Sequence, residues 1–147
     1  MALIFPVLGI IFIWDIVQGR IPNKLVFLGL ALSFIVHGNS GMEPLIYSLV
    51  GCLVGFLAVL PFYSMGLMGG GDVKLSALIG AAVQFPYVVI AILLGLAGAA
   101  IIYTLLSALG IGKGDSSYPM APMFVTGGIL SLYLGDDLIS SFISVFS

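Results

Sequence analysis

Charge is what this sequence has least of. Only 7% of its 147 residues are charged, four basic and six acidic, while 61% are hydrophobic. An average soluble domain is about 25% charged and roughly 45–50% apolar. A globule this small needs a larger polar share to cover its surface. The mean hydropathy of +1.30 therefore excludes an ordinary soluble fold and makes lipid the solvent for most of the chain. Cysteine is nearly absent. Cys52 stands alone, so no internal disulfide and no cysteine metal cluster can form. The single histidine, His37, excludes a multi-histidine metal site. Four scattered basic residues within a net charge of −2 offer no patch for nucleic acid. Long polar stretches, linkers and repeats are missing too, so residues 1–147 are expected to form one integral membrane domain.

What is present is glycine, 20 residues of it, and long apolar runs. Glycine at this frequency suits close helix packing in lipid. A spanning helix takes about 20 mostly apolar residues. Runs between polar breaks predict an all-α membrane protein with six spans, at residues 2–18, 23–37, 43–64, 72–85, 87–109 and 118–135. The second and fourth are short, roughly 22 Å at 1.5 Å per residue, and need shielding by neighbours or a thinned bilayer. The first run lacks a basic n-region and ends in Asp15, so it reads as a retained helix rather than a signal peptide.

The basic residues check this count. Arg20 and Lys24 separate spans one and two, Lys74 spans three and four, and Lys113 spans five and six. With six crossings these loops share one side. The loops expected at 38–42, 84–86 and 135–137 contain no Lys or Arg. The positive-inside rule then puts the N-terminus outside and the basic loops in the cytoplasm. The tail from Leu138 to Ser147 is too short to cross again and extends the sixth helix or lies at the outer surface.

Acids beside hydrocarbon are functional candidates by default. Asp15 closes span one, in Trp14-Asp15-Ile16-Val17-Gln18-Gly19-Arg20-Ile21-Pro22-Asn23. Asp72 opens span four, in Gly69-Gly70-Gly71-Asp72-Val73-Lys74. The topology puts both at one membrane depth. Bland roles are open for each: Asp72 as a helix N-cap, Asp15 as an ion-pair partner of Arg20 or Lys24. Helix formation gives no reason for Asp15, because an acid at a helix C-terminus opposes the macrodipole. Two close carboxylates cannot both ionise easily and so share a proton. The ionised one takes a proton from water, and the protonated one polarises a scissile carbonyl.

These segments resemble the type IV prepilin peptidases, membrane aspartyl proteases of the GxGD type. The resemblance rests on Asp15 followed by Arg20-Ile21-Pro22-Asn23, on Gly69-Gly70-Gly71-Asp72 with Lys74 two residues on, and on Tyr118-Pro119-Met120-Ala121-Pro122 with Gly127. It implies Asp15 and Asp72 as the catalytic dyad, with water as co-substrate and no metal or organic cofactor. It implies substrates that are prepilins or pseudopilins, with a basic leader and a hydrophobic helix, cut after a glycine at the cytoplasmic face of a bacterial or archaeal inner membrane. Larger family members carry a cytoplasmic insertion, often with four cysteines. With only Cys52, the chain is similar to the short peptidase-only branch serving tight-adherence (Flp) pili. Self-association into a homo-oligomer is left open.

Supporting roles follow for Pro22 in the first turn of span two and for Asn23, which can cap or hydrogen-bond near Asp15. Gly69 and Gly71 shape the loop. Lys74 holds an anionic partner or anchors its helix. Pro119 and Pro122 break or kink the start of span six. Gly38-Asn39-Ser40-Gly41 matches a short serine-protease pattern, but the chain has no second histidine; the segment reads as a polar outer loop with His37 at the interface. Gly66 to Lys74 fails as a phosphate loop, because Asp72 rather than Lys follows Gly71. Asp136 and Asp137 read as solvated loop residues, and Gly95 and Gly98 as packing sites. The rival readings are a small proton- or cation-coupled transporter and a non-catalytic membrane assembly subunit. A transporter needs polar residues at mid-depth in spans three and five, which are almost wholly apolar.

Overall fold

The computed structural model describes residues 6, 8–10, 13–14, 22–66, 68–109 and 121–146. Among them every regular element is α-helical. Five helices have both ends described: α1 (Asn23–Ser40), α2 (Met42–Ser64), α3 (Gly70–Val83), α4 (Tyr87–Ala108) and α5 (Ala121–Phe146). They correspond to the second through sixth expected spans. Of the first, residues 8–10 and 13–14 are helical. By length and composition α2 is able to cross a membrane, and Tyr87–Ile102 of α4 is a shorter apolar helix.

Two expected loops are corrected. The loop at 38–42 shrinks to one residue. α1 runs through Ser40, Gly41 turns the chain at φ 132°, and α2 begins at Met42. That φ is open to glycine and strained for any residue with a β-carbon. The loop at 135–137 is continuous helix, because α5 carries on to Phe146. Gly135 is buried under the Tyr87 ring, and the Tyr87 hydroxyl donates to Asp136 Oδ1 at 2.5 Å. Asp136 and Asp137 are thus helical surface residues. His37 lies in α1, as the expected span places it, but it is buried rather than interfacial, only 4% exposed. Among the described residues, its ring nitrogens and the Ser33 hydroxyl, one turn away, meet no hydrogen-bond partner.

α3 is the centre of the bundle. Apart from Lys74, every residue from Val73 to Val83 is buried. The short fourth expected span is thus wrapped by its neighbours, and a segment wrapped in protein need not match the thickness of a bilayer. α2 packs antiparallel on it. A β-carbon at Gly51 would overlap the Gly80 carbonyl oxygen, one at Gly80 the Gly51 carbonyl oxygen, and one at Gly55 the Ser76 carbonyl oxygen. Small residues at a helix crossing let the backbones touch. Serines lace the seam: Ser48 Oγ donates to the Ala81 carbonyl at 2.7 Å and Ser76 Oγ to the Gly55 carbonyl at 2.9 Å. At its foot, Gln84 Nε2 reaches the Pro44 carbonyl at 2.7 Å and the Phe85 amide the Tyr47 carbonyl at 3.1 Å.

α4 and α5 form a second antiparallel pair. Gly127 is backed onto Ala91 and Gly95, while Gly95 and Gly98 lie against Phe124 and Met123, the packing role expected of them. Gly128 touches Ile79 and so seats α5 on α3. The resulting bundle has two chemically distinct ends. Gly41, Pro44, Gln84, Tyr87 and Asp136 meet at one of them. Pro22, Asn23, Gly69, Asp72 and Lys74 lie at the other. Among the described residues, the lysines (Lys24 and Lys74) belong to the second end. Glu43, Asp136 and Asp137 belong to the first.

Candidate active site

The site is built on the reversal between α2 and α3. α2 ends one turn after Pro61, whose carbonyl accepts the Ser64 hydroxyl at 2.7 Å and the Met65 amide at 3.0 Å. Gly66 then takes φ 73°, and the chain returns through Met68 to Gly69. Gly69 is the N-cap of α3, in extended conformation, and the helix starts at Gly70. Asp72 is therefore the third helical residue rather than the cap itself. Its Oδ2 accepts the Gly69 amide at 3.0 Å, and its own amide donates to the Gly69 carbonyl at 3.1 Å. An acid in the first turn faces the positive end of the helix dipole, and returning to the cap amide satisfies one orphan donor.

A capping role for Asp72 does not exclude a catalytic one. The capping bond orients the carboxylate and fixes it against its own turn. Gly69 contributes room, since a β-carbon there would come within 3.4 Å of Asp72 Oδ2. Gly71 lies in the same turn, partly buried. The Tyr63 ring stands 3.6 Å from where a β-carbon on Gly70 would be. Tyr63 was not singled out by the sequence. Its one signal is that α2 must end beside the glycine run it leads into.

Two of the supporting residues meet. Lys74 Nζ donates to Asn23 Oδ1 at 3.0 Å, across 51 positions of sequence. Among the described residues, the partner of Lys74 is thus a neutral amide. Pro22 is the N-cap of α1, at φ −70° and ψ 121°, one position before the first turn. Its carbonyl accepts the Leu25 amide at 3.0 Å. Asn23 opens the helix and uses its side chain for Lys74, so it caps nothing. Pro122 is the second residue of α5, where a missing N–H costs little. Asp15 and Pro119 lie outside the described residues, as do Arg20 and Lys113. Among the described residues no three His, Cys, Asp or Glu side chains gather as a metal site.

Comparison with known proteins gives this arrangement a family. The model of the type IV leader peptidase family matches residues 2–103. A prepilin leader peptidase/N-methyltransferase of Bacillus subtilis (strain 168) is 32% identical over 143 residues, 92% of this chain and 56% of the relative. Proteins of the same description from Stutzerimonas stutzeri and Legionella pneumophila are 26% and 24% identical, over 88% and 95% of this chain and 47% and 51% of theirs. The chain thus spans about half the length of these curated relatives. No solved structure matches it. The family model covers α1, α2, α3 and most of α4, including the turn that carries Asp72 and the Lys74–Asn23 contact, and the chain belongs to the type IV leader peptidase family.

Proposed function

We propose that this protein is a membrane aspartyl endopeptidase that removes the basic leader from prepilins or pseudopilins, with Asp15 and Asp72 as its dyad. The observation that carries the proposal is the placement of Asp72. It sits in the first turn of α3, within the Gly69–Lys74 motif, at the end of the bundle where Pro22 and Asn23 complete the segment following Asp15. The leader-peptidase activity is taken from the names of the relatives, since the peptidase family model is what covers these residues.

In this mechanism one carboxylate is ionised and accepts a proton from the attacking water. The other is protonated, polarises the scissile carbonyl and delivers its proton to the leaving amine. Their two apparent pKa values belong to the pair. We further propose six crossings, with the N-terminus outside and the Asp72 end at the cytoplasmic face. The segregation of Lys24 and Lys74 from Glu43, Asp136 and Asp137 supports this orientation under the positive-inside rule. The leader junction of an inserted prepilin, basic on one side and apolar on the other, would then meet the dyad at the membrane surface.

The test is cleavage of a prepilin in membranes by wild type, Asp15→Asn and Asp72→Asn. Asn keeps the size of the side chain and removes the titratable proton. Loss of cleavage in both variants, at unchanged membrane accumulation, is the expected result. Wild-type cleavage by either variant rules out the dyad.

A further inference from the structure

Lys74 is two residues beyond Asp72 on α3, and Asn23 is eight residues beyond Asp15 at the start of α1. Their hydrogen bond (3.0 Å) therefore ties the first turns of α3, which carries Asp72, and of α1, which follows Asp15 in sequence. Beneath it, Val26 in the first turn of α1 and Val73 beside Lys74 are 1% and 4% exposed and belong to the same apolar cluster. The polar contact lies at the rim above this anchor, with both side chains exposed. An apolar floor holds two helices near one another but leaves their rotation and sliding soft. A directed bond between side chains at the rim removes that freedom.

The partner's chemistry is informative. A lysine ammonium has donors alone, so the amide must turn its oxygen toward Nζ. The amide nitrogen then keeps two hydrogens to donate. An aspartate at position 23 would bind lysine more strongly. It would also add a third negative charge near a site that works by limiting the charge on two carboxylates. A neutral acceptor supplies the geometry without that charge.

We propose that Lys74 and Asn23 form a latch between the starts of α3 and α1, which makes them positioning residues that set the Asp72 turn against the start of α1. The latch holds that turn in register with α1 and makes no contact with substrate. This inference rests on the peptidase reading for its effect on rate, and on geometry alone for its effect on structure.

The experiment therefore has two arms. In the first, prepilin cleavage is measured for Lys74→Met, Asn23→Ala, the double variant and Lys74→Arg. Loss of one such bond corresponds to roughly a threefold to tenfold change. Each single variant should lower kcat by about that factor with KM within about twofold, and the double variant should lose no more than either single one. Lys74→Arg, which still donates to the amide oxygen, should keep most of the wild-type kcat. A raised KM, or losses that multiply in the double variant, would mean that Lys74 meets substrate directly and would overturn the latch. In the second arm, spin labels at Lys24→Cys and Met65→Cys, in a Cys52→Ala background, report the spacing of the start of α1 from the α2–α3 reversal by pulsed electron resonance. Lys74→Met should broaden that distance distribution and Lys74→Arg should not. An unchanged distribution in Lys74→Met overturns the latch whatever cleavage does. If wild type cuts no prepilin offered, the distances decide the latch by themselves.

Discussion

Replacing Gly80 by alanine tests how the helix bearing Asp72 is seated. The new β-carbon would overlap the Gly51 carbonyl oxygen and stand 3.0 Å from Val88 Cγ2. The first obstacle is backbone, so no rotamer change relieves it, and α2 and α3 must separate. A gap of roughly 0.5–1 Å already forfeits a quarter to a half of each dispersion contact along the seam. Overpacking of this kind costs about 1–3 kcal/mol. The Ser48–Ala81 and Ser76–Gly55 hydrogen bonds stretch with it, at about 0.6 kcal/mol each for bonds between membrane helices. Alanine returns roughly 0.5–1 kcal/mol through its better helix propensity. A net loss of about 2 kcal/mol is expected. Reversible unfolding in mixed maltoside and dodecyl sulfate micelles, followed by circular dichroism, measures it. Gly38→Ala is the control, because its β-carbon would meet only Leu45 methyl groups, at 3.9 Å or beyond. That variant should be neutral or slightly stabilised. If Gly80→Ala is as stable as Gly38→Ala, the backbone contact between α2 and α3 is not what holds α3 in place.

Other outcomes follow from single contacts. Asp72→Ala should lose about 1 kcal/mol of stability along with activity, since it deletes the acceptor of the Gly69 amide. Asp72→Asn keeps an acceptor and should lose activity with little change in the melting profile. Gly41→Ala should cost about 1–2 kcal/mol through its positive φ, read in the same unfolding assay. Tyr87→Phe should cost about 0.5–1 kcal/mol by removing the bond to Asp136. Because it acts at the end of the bundle away from Asp72, prepilin cleavage by this variant should match wild type.

Local signals served the sequence reading well where a residue acts within its own turn. The glycine run before Asp72 marked the start of α3 to within two residues, because a capping acid and the helix it opens are neighbours in sequence. Apolar runs located α2 and α4 nearly to their ends, since hydrocarbon imposes length directly. Breaks were harder to read. Gly38 to Gly41 and Gly135 to Asp137 look like loops by composition. Yet a single glycine of positive φ makes the first turn, and the Tyr87 ring and hydroxyl hold the second segment in a helix. Both depend on partners or dihedrals that no window of sequence displays. The same holds at the site. Lys74 and Asn23 were each noticed, but their pairing spans 51 positions and was not. Burial of His37 likewise depends on how α1 lies against its neighbours, and nothing adjacent in sequence announces it.

The placement of both described lysines at the Asp72 end of the bundle has a consequence in an energised membrane. A bacterial membrane is an electrical gradient, negative inside. Moving one elementary charge through it is worth about 2.3 kcal/mol per 100 mV. In the proposed orientation, Lys24 and Lys74 face the negative side, and Glu43, Asp136 and Asp137 face the positive side. Inverting the molecule would carry these five charges against the field and an ionised Asp72 with it, a net opposition among the described residues of about 9 kcal/mol at 100 mV. The voltage that an energised cell maintains thus acts as a standing torque on this small protein. Under the proposed orientation, it favours holding the Asp72 end toward the cytoplasm.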